Sequence, residues 1–361
     1  MKVVVAMDSF KGSLTSLEAG NAVREGILAA APSTDVTVLP LADGGEGTVD
    51  AIAPYIQGIT KTITVTGPLG TPVDADYIFE PVCKTAYIEM AKASGLTLVR
   101  AEDRDPFFTT TYGTGELMKN AVDNGAEKLV ICIGGSATND GGAGMLQALG
   151  AKLADKDGKD ICHGCTGLKD LAAIDLSALI GKGLDITVAS DVTNPLCGPD
   201  GASHVYGPQK GATYETAEQM DGWLKHFAET SGFDPYEKGT GAAGGMSFAL
   251  KNFLGAKIRS GADIVTEITG AEELIKDCDI VITGEGRMDS QTVNGKAPFK
   301  ILQLGTKYGK RVIGITGILG DGYEDCIKAG FEKIVPLMRP TMVTSDAINS
   351  VKETAQELFK N

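Results

Sequence analysis

The chain has 361 residues, enough for about two domains at roughly 150 residues each. Lys and Arg number 33 against 47 Asp and Glu; the formal net charge of −14 argues against nucleic-acid binding and against a polybasic membrane-surface protein, both of which need a basic face. With 43% hydrophobic and 22% charged residues the composition is that of a folded globular protein, and no stretch without Asp, Glu, Lys or Arg exceeds twelve residues, short of the ~20 a membrane helix needs.

At the N-terminus, Lys2–Met7 (KVVVAM) is a short apolar run rich in β-branched residues and predicts a buried strand. It is too short for the apolar core of a signal peptide, so the expected compartment is a reducing cytoplasm. The seven cysteines, an odd and scattered set, are then expected to be mostly free thiols. Thr15-Ser-Leu-Glu18 fits a capping box, and Leu17, Gly20, Val23, Ile27, Leu28 and Ala31 follow at helical spacing until Pro32 stops the helix. Val36–Leu41 predicts the next strand and Gly47–Ile56 the next helix. Strand, helix, strand, helix with short links implies a parallel sheet with helices on its faces.

After Thr66-Gly-Pro-Leu-Gly-Thr-Pro72 the pattern changes. Short alternating runs at Val73–Phe79 and Thr85–Met90 predict strands joined by a hairpin. Further strands are expected at Lys128–Ile133 and Leu184–Ser190. Helices are expected near Thr114–Asn124, Asn139–Leu149, Thr216–Thr230, Gly244–Phe253 and Ala262–Ile268. The opening rhythm then returns: strands at Asp279–Thr283, Arg311–Thr316 and Lys333–Pro336, with helices at Pro298–Tyr308 and Ser345–Phe359. Each terminal piece alone is too small for a stable core, whereas together they make one flavodoxin-sized domain. The expected fold class is therefore α/β, with a discontinuous domain of 1–66 plus 284–361 and a mixed-sheet α/β domain of 67–283 inserted in it.

Glycine is the unusual residue: 47 of 361, about 13%, against about 7% in average usage. Many fall where a predicted strand ends and a helix begins, as in Asp43-Gly-Gly-Glu-Gly47, Gly113-Thr-Gly115, Gly134–Gly144 and Gly284-Glu-Gly286. Unpaired backbone N–H groups at such junctions suit an anion such as phosphate, although tight turns account for many single glycine loops. No standard nucleotide fingerprint occurs: G-x-x-x-x-G-K-[ST] is absent, and G-x-G-x-x-G fails at Gly284-Glu-Gly286-Arg-Met-Asp289.

Carboxylates sit beside these loops. Asp8, Asp43, Asp191 and Asp289 lie at or just past the carboxyl ends of predicted strands, where open α/β sheets place ligands. One such acid can accept a hydroxyl proton and others can hold Mg²⁺, while Asp is also a good helix N-cap. Cations embedded among Gly or Pro accompany them: Lys11, Lys210, Arg287 and Lys296. Cys162-His-Gly-Cys165 lacks further ligands at zinc spacing and reads as part of a surface hairpin.

Met7-Asp-Ser-Phe-Lys-Gly-Ser13, Leu41-Ala-Asp-Gly-Gly-Glu-Gly-Thr48, Gly134-Gly-Ser-Ala-Thr-Asn-Asp-Gly-Gly142, Ser190-Asp-Val-Thr-Asn-Pro195, Gly207-Pro-Gln-Lys-Gly211 and Thr283-Gly-Glu-Gly-Arg-Met-Asp-Ser-Gln-Thr292 occur in this order. Together they resemble the bacterial type-1 glycerate kinases over nearly the whole chain. The resemblance implies two unlike α/β domains, one flavodoxin-like, with an active-site cleft between them, and phosphorylation of D-glycerate from ATP with Mg²⁺, usually at the 2-hydroxyl. Phosphoryl transfer needs positioning and charge stabilisation more than covalent chemistry. On that basis Asp191 is expected to take the substrate hydroxyl proton, with Lys11 and Arg287 holding the glycerate carboxylate or the transferring phosphoryl. Asp8, Ser9, Gly134, Gly135, Ser136, Thr138, Asn139, Gly284, Gly286, Lys210 and Lys296 are expected to bind substrate or phosphate, the Gly134–Gly142 loop cradling those of ATP. Asp289 and Asp43 are the expected Mg²⁺ partners. The alternatives are transfer to the 3-hydroxyl, a related hydroxy acid as substrate, or a non-catalytic small-anion binder. Neither nucleic acid nor membrane is an expected partner, and a homo-oligomer is compatible with the sequence.

Overall fold

The computed structural model describes residues 1–339, 341 and 343–360. They form two units: one of 1–43, 50–56 and 260–360, the other of 44–49 and 57–259. In chain order the strands are β1 (Lys2–Met7), β2 (Asp35–Pro40), β3 (Ile59–Thr66), β4 (Pro72–Glu80), β5 (Thr85–Glu89), β6 (Lys128–Cys132), β7 (Lys152–Ala154), β8 (Ala173–Asp175), β9 (Asp185–Ala189), β10 (Lys257–Arg259), β11 (Ile280–Gly284), β12 (Arg287–Met288), β13 (Arg311–Thr316), β14 (Ile318–Leu319) and β15 (Lys333–Pro336).

The first unit holds a parallel sheet in the order β15-β13-β11-β1-β2. Reading outward from β1, the chain goes to β2 on one side and to β11, β13 and β15 on the other. This is the flavodoxin-like order, and its switch point lies between β1 and β11. Alternation along β1 explains why its run is apolar throughout. Val3, Val5 and Met7 pack with Val23 and Ile27 of helix Ser16–Ala30 and Val351 of helix Thr344–Phe359. Val4 and Ala6 pack on the opposite face with Ile275, Ile301 and Leu302. A parallel strand buried on both faces needs such a continuous run. The capping box at Thr15 forms as its spacing predicts: Glu18 N donates to Thr15 Oγ1 at 3.2 Å, and Thr15 N donates to the Glu18 carboxylate at 2.8 Å.

The second unit is built on a six-stranded mixed sheet, β10-β9-β6-β5-β4-β3. Strands β3, β4 and β5 are antiparallel neighbours and the others pair in parallel. The expected hairpin between the 73–79 and 85–90 runs is present as β4 and β5.

The crossings between units fall elsewhere than the sequence suggested. Residues 59–66 form β3, an edge strand bound to β4 in the second unit, so that crossing lies at 56/57 and not at 66/67. The return lies at 259/260 and not at 283/284, because Ala262, Ala271 and Ile275 bury in the core of the first unit. An edge strand with Thr and Lys on its open positions carries little apolar signal of its own. One helix start also moves: Ala143–Ala148 begins four residues later than expected, because Gly141 and Gly142 hold φ of +65° and +79°. No helix among the described residues is long and apolar enough to cross a membrane.

Candidate active site

At the carboxyl edge of the first unit's sheet lies a cavity of about 540 Å³. Loops leaving β1, β2, β11, β13 and β15 supply its walls, so it sits across the switch point. Seven of the sequence-named residues line it: Asp8, Ser9, Lys11, Asp43, Gly286, Arg287 and Lys296. Asp8 N donates to Gly284 O at 2.8 Å, which fixes the first turn after β1 against β11. Lys11 Nζ donates to Asp43 Oδ2 at 3.3 Å while its side chain stays 80% exposed. Asp43 thus serves this ion pair at the cavity wall.

The charges are arranged unevenly. Burial, then the neighbouring Asp43 carboxylate, push Asp8 up to about 7, against the Ser9 amide and Lys11. Asp43 holds the Lys11 ammonium above its ordinary value. On the β11 side Glu285 is buried and accepts from Thr292 Oγ1 at 2.8 Å and from Lys296 Nζ at 3.2 Å. Burial raises its carboxyl, opposed by Lys296 and Thr292. Asp289 stands between two cations, 3.3 Å from Arg287 Nε and 3.6 Å from Lys296 Nζ. The guanidinium is therefore anchored by one edge, and its side chain is 60% exposed. Beyond the sheet, β12 and β14 pair in parallel and set Arg287 beside Ile318.

The Gly134–Gly144 loop of the second unit follows β6, as expected, but many of its polar groups are bonded inside that unit, while the buried Thr138 Oγ1 and Asn139 Oδ1 have no hydrogen-bond partner among the described residues. The amides of Gly134, Ala137 and Gly141 donate to Gly44, Ser94 and Gly244 carbonyls. Asp140 is fully buried and accepts from Thr111 N, Thr111 Oγ1, Gly142 N and Gly144 N. Asn139 is buried and donates to Ser203 Oγ at 2.8 Å. Thr138 is buried as well. Lys210 lies beneath the loop, buried, donating to Ser136 Oγ at 2.9 Å and Thr138 O at 2.6 Å. Burial lowers its ammonium to about 7, against the pull of Asp140. Lys210 therefore holds the loop from behind. Gly135 turns the loop at φ +75° and gives its carbonyl to Leu96 N. Gly113 likewise serves packing: a Cβ there would lie 2.0 Å from Thr66 O.

Asp191 is half-buried on the loop leaving β9, where Ser190 N donates to Arg259 O. In the same unit Gly44 runs close to Ala189, with room for no Cβ: one would stand 2.7 Å from the Ala189 carbonyl. Gly284, inside β11, permits close strand packing, since a Cβ would meet Ile315 O at 1.7 Å.

Sequence reasoning missed Glu89, Asp140 and Glu285, three buried acids that hold loops in shape. Glu89 closes β5 and accepts from Gly47 N at 2.8 Å and Val49 N at 3.2 Å. It therefore caps the start of the short helix Thr48–Ile52. Glu285 was within sight, inside Thr283-Gly-Glu-Gly286. Missed too were the apolar wall residues Phe10, Ile318 and Leu337, which carry no chemical signature. All seven cysteines are free, Cys162 exposed and Cys165 buried, and His163 stacks on Tyr112 at 4.5 Å.

A flavodoxin-like sheet with a charged cavity at its switch point, joined in one chain to a mixed α/β unit, defines an α/β enzyme of the kind that handles small anionic substrates. The relatives narrow this class. The chain belongs to the glycerate kinase family, whose model matches residues 3–361. It is 44% identical over 366 residues to the glycerate kinase of Halalkalibacterium halodurans, covering 99% of this chain and 96% of that one. It is 50% identical over 328 residues to the glycerate 2-kinase of Escherichia coli, covering 89% and 86%. A crystal structure from Salmonella typhimurium LT2 assigned to glycerate kinase 2 superimposes with a TM-score of 0.85 at 45% identity, covering 100% of this chain and 96% of that one.

Proposed function

We propose that this chain transfers the terminal phosphoryl group of ATP to the 2-hydroxyl of D-glycerate. Family membership makes it a glycerate kinase, and the E. coli relative's name supports the 2-position. The observation that carries the chemistry is the switch-point cavity, where a chain of net charge −14 gathers Lys11, Arg287 and Lys296 beside Asp8 and Asp43. A pure anion binder has no use for carboxylates next to its cations; a phosphotransferase does.

Each group has a role in this reading. Lys11 and Arg287 stabilise the charge spread over the transferring phosphoryl oxygens. Lys296, tied to Glu285 and Asp289, holds the Arg287 loop and adds positive potential. Asp191 takes the proton of the attacking hydroxyl. The Gly134–Gly142 loop contributes rigid shape. Magnesium fits the acidic end. Burial and the Asp43 carboxylate disfavour the charged form of Asp8, and a divalent cation beside it would favour that form. Mg²⁺ is commonly held by one or two carboxylates plus phosphate oxygens and water. When bound it neutralises phosphate charge. Asp289 already balances two cations and is better suited to anchoring Arg287 than to a metal.

The test is ATP consumption strictly dependent on D-glycerate and Mg²⁺, with phosphorus NMR of the product. A 3-phosphoglycerate signal would overturn the regiochemistry. Asp191→Asn that folds, binds both substrates and keeps wild-type turnover would overturn the assignment of the base.

A further inference from the structure

The parallel ladder between β11 and β13 ends at Thr283 and Gly314 and resumes, as β12 and β14, at Arg287 and Ile318. Residues 284–286 and 315–317 lie between the two pieces, and Thr316 sits in that gap, fully buried. A hydroxyl has one proton and two lone pairs. That of Thr316 lies 3.0 Å from both Glu285 O and Ile318 O and accepts from Met288 N at 3.1 Å. It therefore joins residues on either side of Arg287 to the strand opposite. Its own carbonyl accepts from Leu337 N at 2.8 Å, so the joint is tied to the end of β15 as well.

Just past β14 comes Gly320, also buried, whose N–H donates to Met288 O at 2.8 Å. Its φ lies outside the left-handed region, so the path of the chain does not call for glycine. The space does. A Cβ at Gly320 would stand 2.7 Å from Arg287 Nε, 3.2 Å from Arg287 Nη2 and 2.7 Å from Asp289 Cβ. The missing methyl is the room in which the Arg287–Asp289 ion pair lies. An ion pair at the surface holds a long side chain only weakly by itself. Arg287 has in addition a bare glycine beside it and a backbone fixed by a buried hydroxyl.

We propose that Thr316 and Gly320 are positioning residues for phosphoryl transfer, holding the Arg287 guanidinium at the cavity wall without touching substrate. This rests on the kinase reading above and on the part Arg287 has in it. Charge stabilisation of a transferring phosphoryl depends on donors already in place, and a misplacement of about 1 Å can cost about 10²-fold in rate. An arginine on an unbraced loop would have to be ordered at each turnover. The Thr316 hydroxyl and the glycine seat meet that requirement before substrate arrives.

The experiment pairs steady-state kinetics with nitrogen-15 NMR of the arginine Nε–H groups of the full-length chain, the Arg287 signal being assigned by its loss in Arg287→Ala. Thr316→Val keeps the size and removes the hydroxyl, Thr316→Ser keeps the hydroxyl, and Gly320→Ala adds a methyl and removes no hydrogen bond. Thr316→Val and Gly320→Ala should shift or broaden the Arg287 signal. They should lower kcat for D-glycerate about tenfold or more, with both KM values within about twofold. Thr316→Ser should restore both signal and turnover. In an Arg287→Ala background, Thr316→Val and Gly320→Ala should change kcat less than about twofold. An Arg287 signal unmoved in both variants overturns the proposal, as does an equal loss of kcat with and without Arg287, which would mark a structural effect alone. If Thr316→Val does not fold, the Gly320→Ala cycle decides by the same two criteria. If the wild-type chain never phosphorylates glycerate while the signal moves as expected, the kinase reading falls and the placement of Arg287 by Thr316 and Gly320 stands.

Discussion

Two strand-to-helix junctions look alike in the sequence and differ in the folded chain. After β11, Gly284-Glu-Gly286-Arg287 opens onto a cavity and leaves a guanidinium exposed. After β6, Gly134–Gly144 turns its hydroxyls, amides and lysine inward. Glycine at such a junction permits close backbone approach, either by a ligand or by the protein's own backbone, as Gly134 meets Gly45 in the second unit. In the function proposed above, the first junction meets the ligand and the second gives its own unit rigid shape. Substitutions should therefore separate activity from stability, and the separation can be attacked from both ends.

The largest effect is expected at the first junction. Arg287→Ala should lower kcat/KM by about 10²–10³, as loss of a charge-stabilising donor does elsewhere. It should leave the denaturation midpoint within error, because its ion pair with Asp289 is at the surface. If the protein instead unfolds early, the contrast between the junctions is broken. At the second junction Asp140→Ala should cost about 3 kcal/mol or more in urea unfolding, since it strands buried donors of Thr111, Gly142 and Gly144. A stable Asp140→Ala protein would show that those donors find water.

Lys210 sharpens the comparison through pH. Its folded-state value of about 7 lies below that of an unfolded lysine, so between pH 7 and about 10 the unfolded chain binds the extra proton. The Lys210 contribution to stability thus rises with pH across that window and is at its lowest below pH 7. Wild type should gain a few kcal/mol relative to Lys210→Met from pH 7 to pH 9.5 in parallel urea titrations. Parallel curves would mean that the amine stays charged beneath the loop. The smallest effect is expected for Glu89→Gln, about 1–2 kcal/mol, because the amide keeps an acceptor for Gly47 or Val49 but loses the charge.

The contrast also marks what a sequence can reveal. Strands β1, β11 and β13 were legible because a strand buried on both faces must be apolar without interruption. The Thr15 cap was legible because its geometry is local. Strand β3 was not, since its place depends on β4 and its exposed edge positions tolerate Thr and Lys. Site residues followed the same division. Asp8, Lys11, Asp43 and Arg287 could be named as polar groups at strand ends, and they line one cavity. Ser136, Thr138, Asn139 and Lys210 have the same residue types in the same setting, yet their direction is fixed by Ser203, Gly244 and other partners far along the chain. Ile318 and Leu337 had no chemical signature and became visible only as the wall of a cavity.

The pairing of β1 with β11 joins Val3 to Ile280. A ribosome adding about 5–20 residues per second needs roughly 15–55 s to bridge that interval. For that time the opening strand has its β2 neighbour but not its central one, and its apolar faces await helices such as Thr344–Phe359 that have not been made. Most of the mixed-sheet unit, continuous from 57 to 259, can meanwhile complete itself. Translation speed and chaperone occupancy on the nascent N-terminal half should accordingly govern the yield of native enzyme more than any single contact described above.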